Sequence, residues 1–476
     1  MDFHARFRKE NSQCDWISST QLASLPYTLS MLLSDGRVVL ILSHNRSKVV
    51  FVGALIIVAI AVVIAIALQF IDSDQEGKGN MAGNGEGVEQ PVNSNEAAVP
   101  SDKLGEPSDS EVTEKETTAT VEKPQQPSIQ ADIPSLAEAY AEYFPIGAAI
   151  EPNQTNGLTA ELLKKHMNML VAENVMKPSS LQPTEGNFKW DQADRLVEFA
   201  RNNNMELRFH TLVWHNQVPS WFFVDADGNK MVNETDSKKR EANKKLLLER
   251  LDTHVRTIVE RYKDDIKSWD VVNEVIEPGD PDGIRNSDWY KITGTDYIET
   301  AFRSARAAGG PDIKLYINDY STDDPVKSNK MYSLVKDMLD KGVPIDGVGH
   351  QTHISVAWPP INMIIDSMKK FNELGLDNII TELDMSVYAW DDRSNYGETV
   401  PDDVLLKQAN RYRDLFEALK EHKEMVGGVV FWGIADNHTW LSTFPVNRRT
   451  EAPLLFDKQM QAKPAFWGVV DPSKLP

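Results

Sequence analysis

At 476 residues the chain is long enough for one large domain with extensions, or for two or three average ones. Its formal charge of −21 excludes the basic surface that a nucleic-acid partner requires. A single cysteine, Cys14, excludes an internal disulfide and a thiolate metal site, although a core of this size needs no disulfide to be stable outside a cell.

Residues 1–48 show no clear periodicity and are read as a cytoplasmic N-terminal segment. Residues 49–68, VVFVGALIIVAIAVVIAIAL, are apolar or glycine without interruption. That is about the ~20 residues a helix needs to cross a ~30 Å hydrocarbon core. A buried core helix would carry a polar face, and this run has none. Arg37, Arg46 and Lys48 precede it and Asp72, Asp74 and Glu76 follow. The positive-inside rule therefore keeps the N-terminus in the cytoplasm and puts the rest outside. The expectation is a single-pass anchor over 49–71, with the catalytic part extracellular. The rival is a signal peptide cleaved near Ala65-Ile66-Ala67, against which stand the length of the apolar run and of the leader before it.

Between Asp72 and Asp132 fourteen Asp or Glu face four Lys or Arg, and no aromatic residue occurs between Phe70 and Tyr140. Such a segment cannot bury enough apolar surface to offset its ordering entropy. It is expected to be a disordered acidic linker, spanning roughly 45 Å on average and up to ~200 Å when stretched. Gly83, Gly85 and Gly87 imitate a nucleotide-binding motif, but no strand precedes them and no helix follows.

From about residue 133 to the end at 476 the chain alternates between short apolar runs and longer amphipathic stretches. The runs are 145–150, 168–174, 206–215, 268–274, 314–320, 346–353, 378–384 and 427–433. Between them, Leu247, Leu248, Leu251, Val255, Ile258, Val259 and Tyr262 share one helical face. Pro401 opens a second helix striped by Leu405, Ala409, Tyr412, Phe416 and Leu419. Eight strand–helix units over ~340 residues predict an α/β fold, a (β/α)8 TIM barrel.

The C-terminal ends of these runs carry Glu173, Asn174, His210, His215, Asn273, Glu274, Asn318, Asp319, Gln351, His353, Glu382, Asp384 and Trp432. The N-terminal ends show no comparable cluster. Barrel enzymes assemble their sites at the C-terminal rim, so the polarity suits catalysis. Asp270 and Asp384 also suit ion pairs inside the barrel. Glu274 and Glu382 end buried strands far apart in sequence. A carboxylate there needs water, a partner charge or a substrate. Cleavage of a glycosidic bond uses such a pair, one to protonate the leaving oxygen and one to capture the developing oxocarbenium ion. Structural salt bridges are the plain alternative.

Asn273 can bond a sugar hydroxyl or cap a turn. His210, His215, His350 and His353 are residue types that also bind zinc, but their spacing lacks a helical i, i+4 pattern or a local acidic partner. Hydrogen bonds to the carboxylates or to a sugar fit them better. Trp214, Trp432 and Trp440 suit stacking on the apolar faces of sugar rings. Lys177, after the second strand, is a candidate hydroxyl donor.

Together ENVMKPSSLQPTEGNFKWDQAD, LRFHTLVWHNQVPSWFF, WDVVNEVI, LYINDY, VGHQTHI, ITELDMS and FWGIADNHTWL resemble glycoside hydrolase family 10, the endo-β-1,4-xylanases, across nearly all of 133–470. The resemblance implies a retaining double displacement on xylan and xylo-oligosaccharides by a catalytic domain read as monomeric, with no metal or organic cofactor. It implies Glu274 as acid/base, Glu382 as nucleophile, Asn273 as a partner of the sugar 2-hydroxyl and His353 as the orienter of the nucleophile. Glu173, Asn174, Lys177, His210, Trp214, Gln217 and Gln351 match glycone-side contacts. Trp432 and Trp440 match residues that line and cover the cleft, and Tyr320 matches a leaving-group-side contact. The rivals are a retaining barrel glycosidase on another β-glycan, a metal-dependent barrel hydrolase, and a surface-displayed polysaccharide-binding protein.

Overall fold

The computed structural model describes residues 128–475 and the strand backbone of 15–20, 27–34 and 37–44. The expected anchor over 49–71 and the linker up to residue 127 lie outside the described residues. Among the described residues no helix is long and apolar enough to cross a membrane. The chain divides into two units, 1–116 and 117–476.

In the first unit the strands β1 (Asp15–Thr20), β2 (Tyr27–Ser34) and β3 (Arg37–His44) form an antiparallel sheet in the order β1-β2-β3. The β2–β3 ladder runs from Tyr27 opposite His44 to Ser34 opposite Arg37. The sequence of residues 1–48, with no clear periodicity, gave no sign of these strands.

In the second unit the eight expected strands appear in order. They are β4 (Ile146–Ile150), β5 (Met169–Ala172), β6 (Glu206–Val213), β7 (Ile266–Asn273), β8 (Lys314–Asp319), β9 (Gly347–His350), β11 (Asp377–Ser386) and β12 (Val426–Phe431). Each pairs in parallel with its neighbours, and β11 pairs with both β12 and β9, so the sheet closes on itself. One expected strand, 346–353, is broken: Thr352 takes a positive φ of 58°. The chain resumes as a short β10 (His353–Ser355) against β11.

The strands are almost wholly buried because a barrel covers both faces, lumen and helix side. Their period of two sorts the side chains. Ala149, Met169, Val171, Val430 and Trp432 form one apolar cluster, while the alternating Ala148, Ile150, Leu170, Ala172, Val429 and Phe431 join the large cluster shared with the helices. The lumen also holds Arg208, fully buried and paired to Asp270, an ion pair of the kind anticipated for that aspartate.

The helices follow their sequence cues. The one expected over 246–262 runs Ser237–Tyr262, capped by Asp236, whose side chain accepts from the backbone of Lys238 and Lys239. Its first turns are charged and carry no apolar stripe, so periodicity alone missed them. Pro401 caps Asp402–Glu421, which buries Ala409, Tyr412, Phe416 and Leu419 as expected and Leu405 only in part. The barrel's contacts begin ahead of residue 133. Ser128 and Ala131 carbonyls accept from Gln461 and Lys165, and the Gln130 side chain accepts from the Ala462 backbone.

Packing in the wall is tight at Gly347. A Cβ there would press into the Tyr316 ring and come within 2.8 Å of the Asp377 carbonyl. Gly347→Ala should destabilise the barrel by about 1–3 kcal/mol, read as a lower denaturant midpoint. A change under about 0.5 kcal/mol would contradict this packing.

Candidate active site

The parallel ladder sets the site before any side chain does. The Glu274 N–H donates to the Asn318 carbonyl (2.8 Å), Gln351 N–H to the Asp319 carbonyl (3.0 Å), and Glu382 N–H to the Gln351 carbonyl (3.0 Å). Strand ends far apart in sequence are thereby held at one level of the rim. Local backbone then aims the side chains. Glu274, one residue past β7, has φ 57°, and Gln217 and Thr352 have φ 44° and 58°. Such conformations cost of order 1–3 kcal/mol each and persist where the surroundings dictate them. For Glu274 the turn means that it and Asn273 both reach the pocket, as neighbours on a regular strand could not.

Glu382 is 5 % exposed. Its Oε1 accepts from Asn318 Nδ2 (2.8 Å) and its Oε2 lies 3.2 Å from His353 Nε2. His210 stands 4.0 Å from Oε1 and 3.0 Å from Asp270. Thr381 donates to Asn318 Oδ1 (2.7 Å), which fixes that amide so that its NH2 faces Glu382 and Asn273. Asn273 Oδ1 then accepts from Asn318 (2.9 Å) and from Gln351 (3.2 Å), and its NH2 lies 3.4 Å from Glu274. The opposite amide orientation of Asn273 would set its NH2 against two NH2 groups. Gln351 also donates to Glu274 Oε1 (3.1 Å). The two glutamates are thus joined by a short chain of amides, with His215 3.8 Å from Glu274 Oε2.

Around this pair stands a second group. Lys177, 5 % exposed rather than solvated, donates to Asn174 Oδ1 (3.2 Å) and lies 4.8 Å from the Trp214 ring centre and 5.9 Å from that of Trp432. Gln217 donates to the same Asn174 oxygen (3.2 Å). Burial lowers the Lys177 ammonium from its ordinary value, against the pull of Glu382, Glu173, Glu274 and Glu151. Trp440 donates its indole N–H to Asp384 (2.7 Å), with its ring 5.0 Å from that of His353. Trp432 packs edge-on against His210. Tyr320 stands apart with Arg285, which donates to its hydroxyl (2.8 Å).

Every residue singled out from the sequence as catalytic or sugar-binding therefore lies at this rim. His350 does not. It is buried between Thr322 (2.7 Å) and Asn378 (3.0 Å), and burial lowers it to about 4. That removes it from the candidate metal ligands, and among the described residues no three His, Cys, Asp or Glu side chains are grouped to hold a metal. Sequence reasoning missed Glu151, which accepts from Asn174 (2.7 Å), and His438, 2.6 Å from Glu173. It also missed Arg285 and Glu277. All four come from loops or flanks with no periodic signal.

Charge in the site is organised around Glu382. Burial by itself would raise its carboxyl, but the bond from His353, the facing His210 and His353 rings and the Asn318 amide outweigh it and bring it down to about 2. Burial would likewise lower His353, yet Asp384, 3.0 Å from its Nδ1, and Glu382 raise it to about 10. A value above the ordinary 6.5 means that charged His353 stabilises the fold fully below pH 6.5 and loses that effect as pH rises toward about 10. His353→Gln should cost about 3–5 kcal/mol at pH 6, as when one partner of a buried pair is removed. The gap from the parent chain should narrow steadily toward pH 10 in denaturant titrations. A gap that does not change with pH would show that His353 is not held as a cation.

The geometry has counterparts. The glycosyl hydrolase family 10 profile matches residues 135–472. A "Thermostable celloxylanase" of Thermoclostridium stercorarium is 68% identical over 344 residues, 72% of this chain and 89% of that protein. "Endo-1,4-beta-xylanase A" of Halalkalibacterium halodurans is 56% identical over 345 residues, 71% of this chain and 87% of that one. The crystal structure of xylanase B from Clostridium stercorarium F9 superposes with a TM-score of 0.71 at 68% identity, covering 71% of this chain and 100% of the other. A rim bearing two glutamates, one just past β7 and one in β11, in a barrel matched from end to end by the profile, places this chain in glycosyl hydrolase family 10.

Proposed function

We propose that the chain is a retaining endo-β-1,4-xylanase in which Glu382 is the nucleophile and Glu274 the acid/base. One observation carries the assignment of roles. Glu382 is buried and kept ionised by His353, His210 and Asn318, as an attacking carboxylate must be. Glu274 sits beyond its strand with a partly open side chain, 15% exposed, where it can meet both the leaving oxygen and water. The substrate class follows from relatives named xylanases at high identity.

In the first step a Glu382 oxygen bonds to the anomeric carbon as the glycosidic C–O bond breaks, and Glu274 gives its proton to the departing oxygen. In the second, water attacks the same carbon, its proton returns to Glu274, and the ester to Glu382 breaks. The product keeps its anomeric configuration. Asn273, whose amide adjoins Glu274 and is bonded to the Asn318 that holds Glu382, is assigned to the sugar 2-hydroxyl. Glu173, Asn174, Lys177, Gln217, His210, Gln351 and Trp214 are assigned to the glycone, Trp432 and Trp440 to the cleft walls, and Tyr320 to the leaving-group side. His353 orients Glu382. Nothing in the geometry favours a binding-only protein, which has no use for a buried charge.

Glu382→Ala should abolish turnover of every substrate. Glu274→Ala should lose on the order of 10²–10⁴-fold on xylan but keep some activity on aryl glycosides whose leaving group needs no proton, limited there by the second step that also uses Glu274. Equal losses on all substrates, measured as initial rates, would reverse or void these roles.

We further infer that residues 49–68 tether the enzyme to a membrane, with the acidic linker as spacer and the barrel outside the cell. The support is the uninterrupted apolar run and the charges that flank it. Cell fractionation should find full-mass enzyme in the membrane fraction. A soluble form beginning near Leu68 would instead establish a cleaved signal.

A further inference from the structure

Glu274 is held in its left-handed backbone pose by two hydrogen bonds. One is its own N–H to the Asn318 carbonyl (2.8 Å). The other comes back from the loop: Arg285 Nε donates to the Glu274 carbonyl at 2.7 Å. The loop between them is closed on itself, with Arg285 N–H to the Val275 carbonyl (2.8 Å), Glu277 N–H to the Gly283 carbonyl (3.1 Å) and an antiparallel bridge between Ile276 and Ile284. The arginine is therefore delivered to the carbonyl by a small rigid hairpin.

The rest of the guanidinium faces away from Glu274. Nη2 donates to the Tyr320 hydroxyl (2.8 Å), Nη1 lies 3.4 Å from Glu277 Oε2, and the Tyr320 hydroxyl donates to that same Glu277 oxygen (3.1 Å). The guanidinium is 18% exposed, so these bonds are only partly exchanged with water. On the side-chain end Glu274 has little independent support. Its Oε1 has Gln351 and a long contact to Asn273, while its Oε2 has only His215 at 3.8 Å. The direction of the carboxyl group is thus set largely by the backbone that Arg285 clamps.

We propose that Arg285 is a positioning residue for the proton donor, and that through Tyr320 it couples the aim of Glu274 to the leaving-group side of the cleft. This rests on Glu274 being the acid/base. Its planar fork spans the Glu274 carbonyl and the Tyr320 hydroxyl at once, which a lysine ammonium cannot do. Loss of the clamp lets Glu274 leave a strained pose, and misplacement by about 1 Å can cost on the order of 10²-fold in rate. The cost falls on protonation, since Glu382 shares no contact with Arg285.

The test is a series of aryl β-xylobiosides, 2,4-dinitrophenyl, 4-nitrophenyl and phenyl, hydrolysed by the full chain, by R285M, by R285K and by E274A. R285M should lose roughly 10–100-fold in kcat/KM on the phenyl substrate and under about 3-fold on the dinitrophenyl one, which leaves without a proton. R285K should recover part of the phenyl loss. A uniform loss across the series, or no loss, overturns the proposal. If thermal melting shows R285M unfolded, R285K decides: parent-like rates on every substrate, or an equal drop on all of them, overturn it too. E274A separates the premises. If it shows no steepened dependence on leaving group, the acid/base assignment fails; if it does and the Arg285 variants do not, only the role of Arg285 fails.

Discussion

A negative charge buried at the mouth of the barrel organises the site. Glu382 sits where desolvation would neutralise it, and the structure answers with His353, His210 and Asn318. Each of these is in turn held: His353 by Asp384, His210 by Asp270, Asn318 by Thr381. Asp270 reaches further down to Arg208 in the lumen, so the charge at the rim is backed by an ion pair in the floor. A buried charge is tolerated only beside partners of opposite sign, which gathers these polar groups together in a lumen otherwise lined by Ala149, Met169, Val171, Val430 and Trp432.

The same economy separates the two carboxylates. Glu382 lies within β11, buried and facing Asn318, His353 and His210. Glu274 lies one residue beyond β7, on a backbone turned to positive φ, with donors on one oxygen and little on the other. This difference suits the roles proposed for them, since a group that sheds and regains a proton is less firmly bonded than one that stays ionised. The fold supplies this difference by the position of each residue relative to its strand end.

The outer residues extend that division across the rim. Lys177, Asn174, Gln217 and Glu151 form a bonded set, with Lys177 against Trp214 and Trp432, and the Glu173–His438 pair stands as a further bond. Tyr320, Arg285 and Glu277 form another around the backbone of Glu274. Sugar hydroxyls need fixed polar partners, and both sets are fixed by bonds among themselves.

By itself the sequence determined the barrel, its eight strands and the placing of two glutamates at strand ends. Buried parallel strands are continuous apolar runs, and a polar residue at the end of each is visible without coordinates. It did not reveal that Thr352 breaks a strand, that Lys177 is buried, or that His350 belongs to the core. Those depend on which neighbour each side chain meets. The early turns of the helix at Ser237 and the pairings of Glu151, His438 and Arg285 also escaped, because charged turns and loop residues carry no period. Only the tertiary structure decided that Glu382 is held charged, since its ionisation is set by donors brought together from strands far apart in the chain.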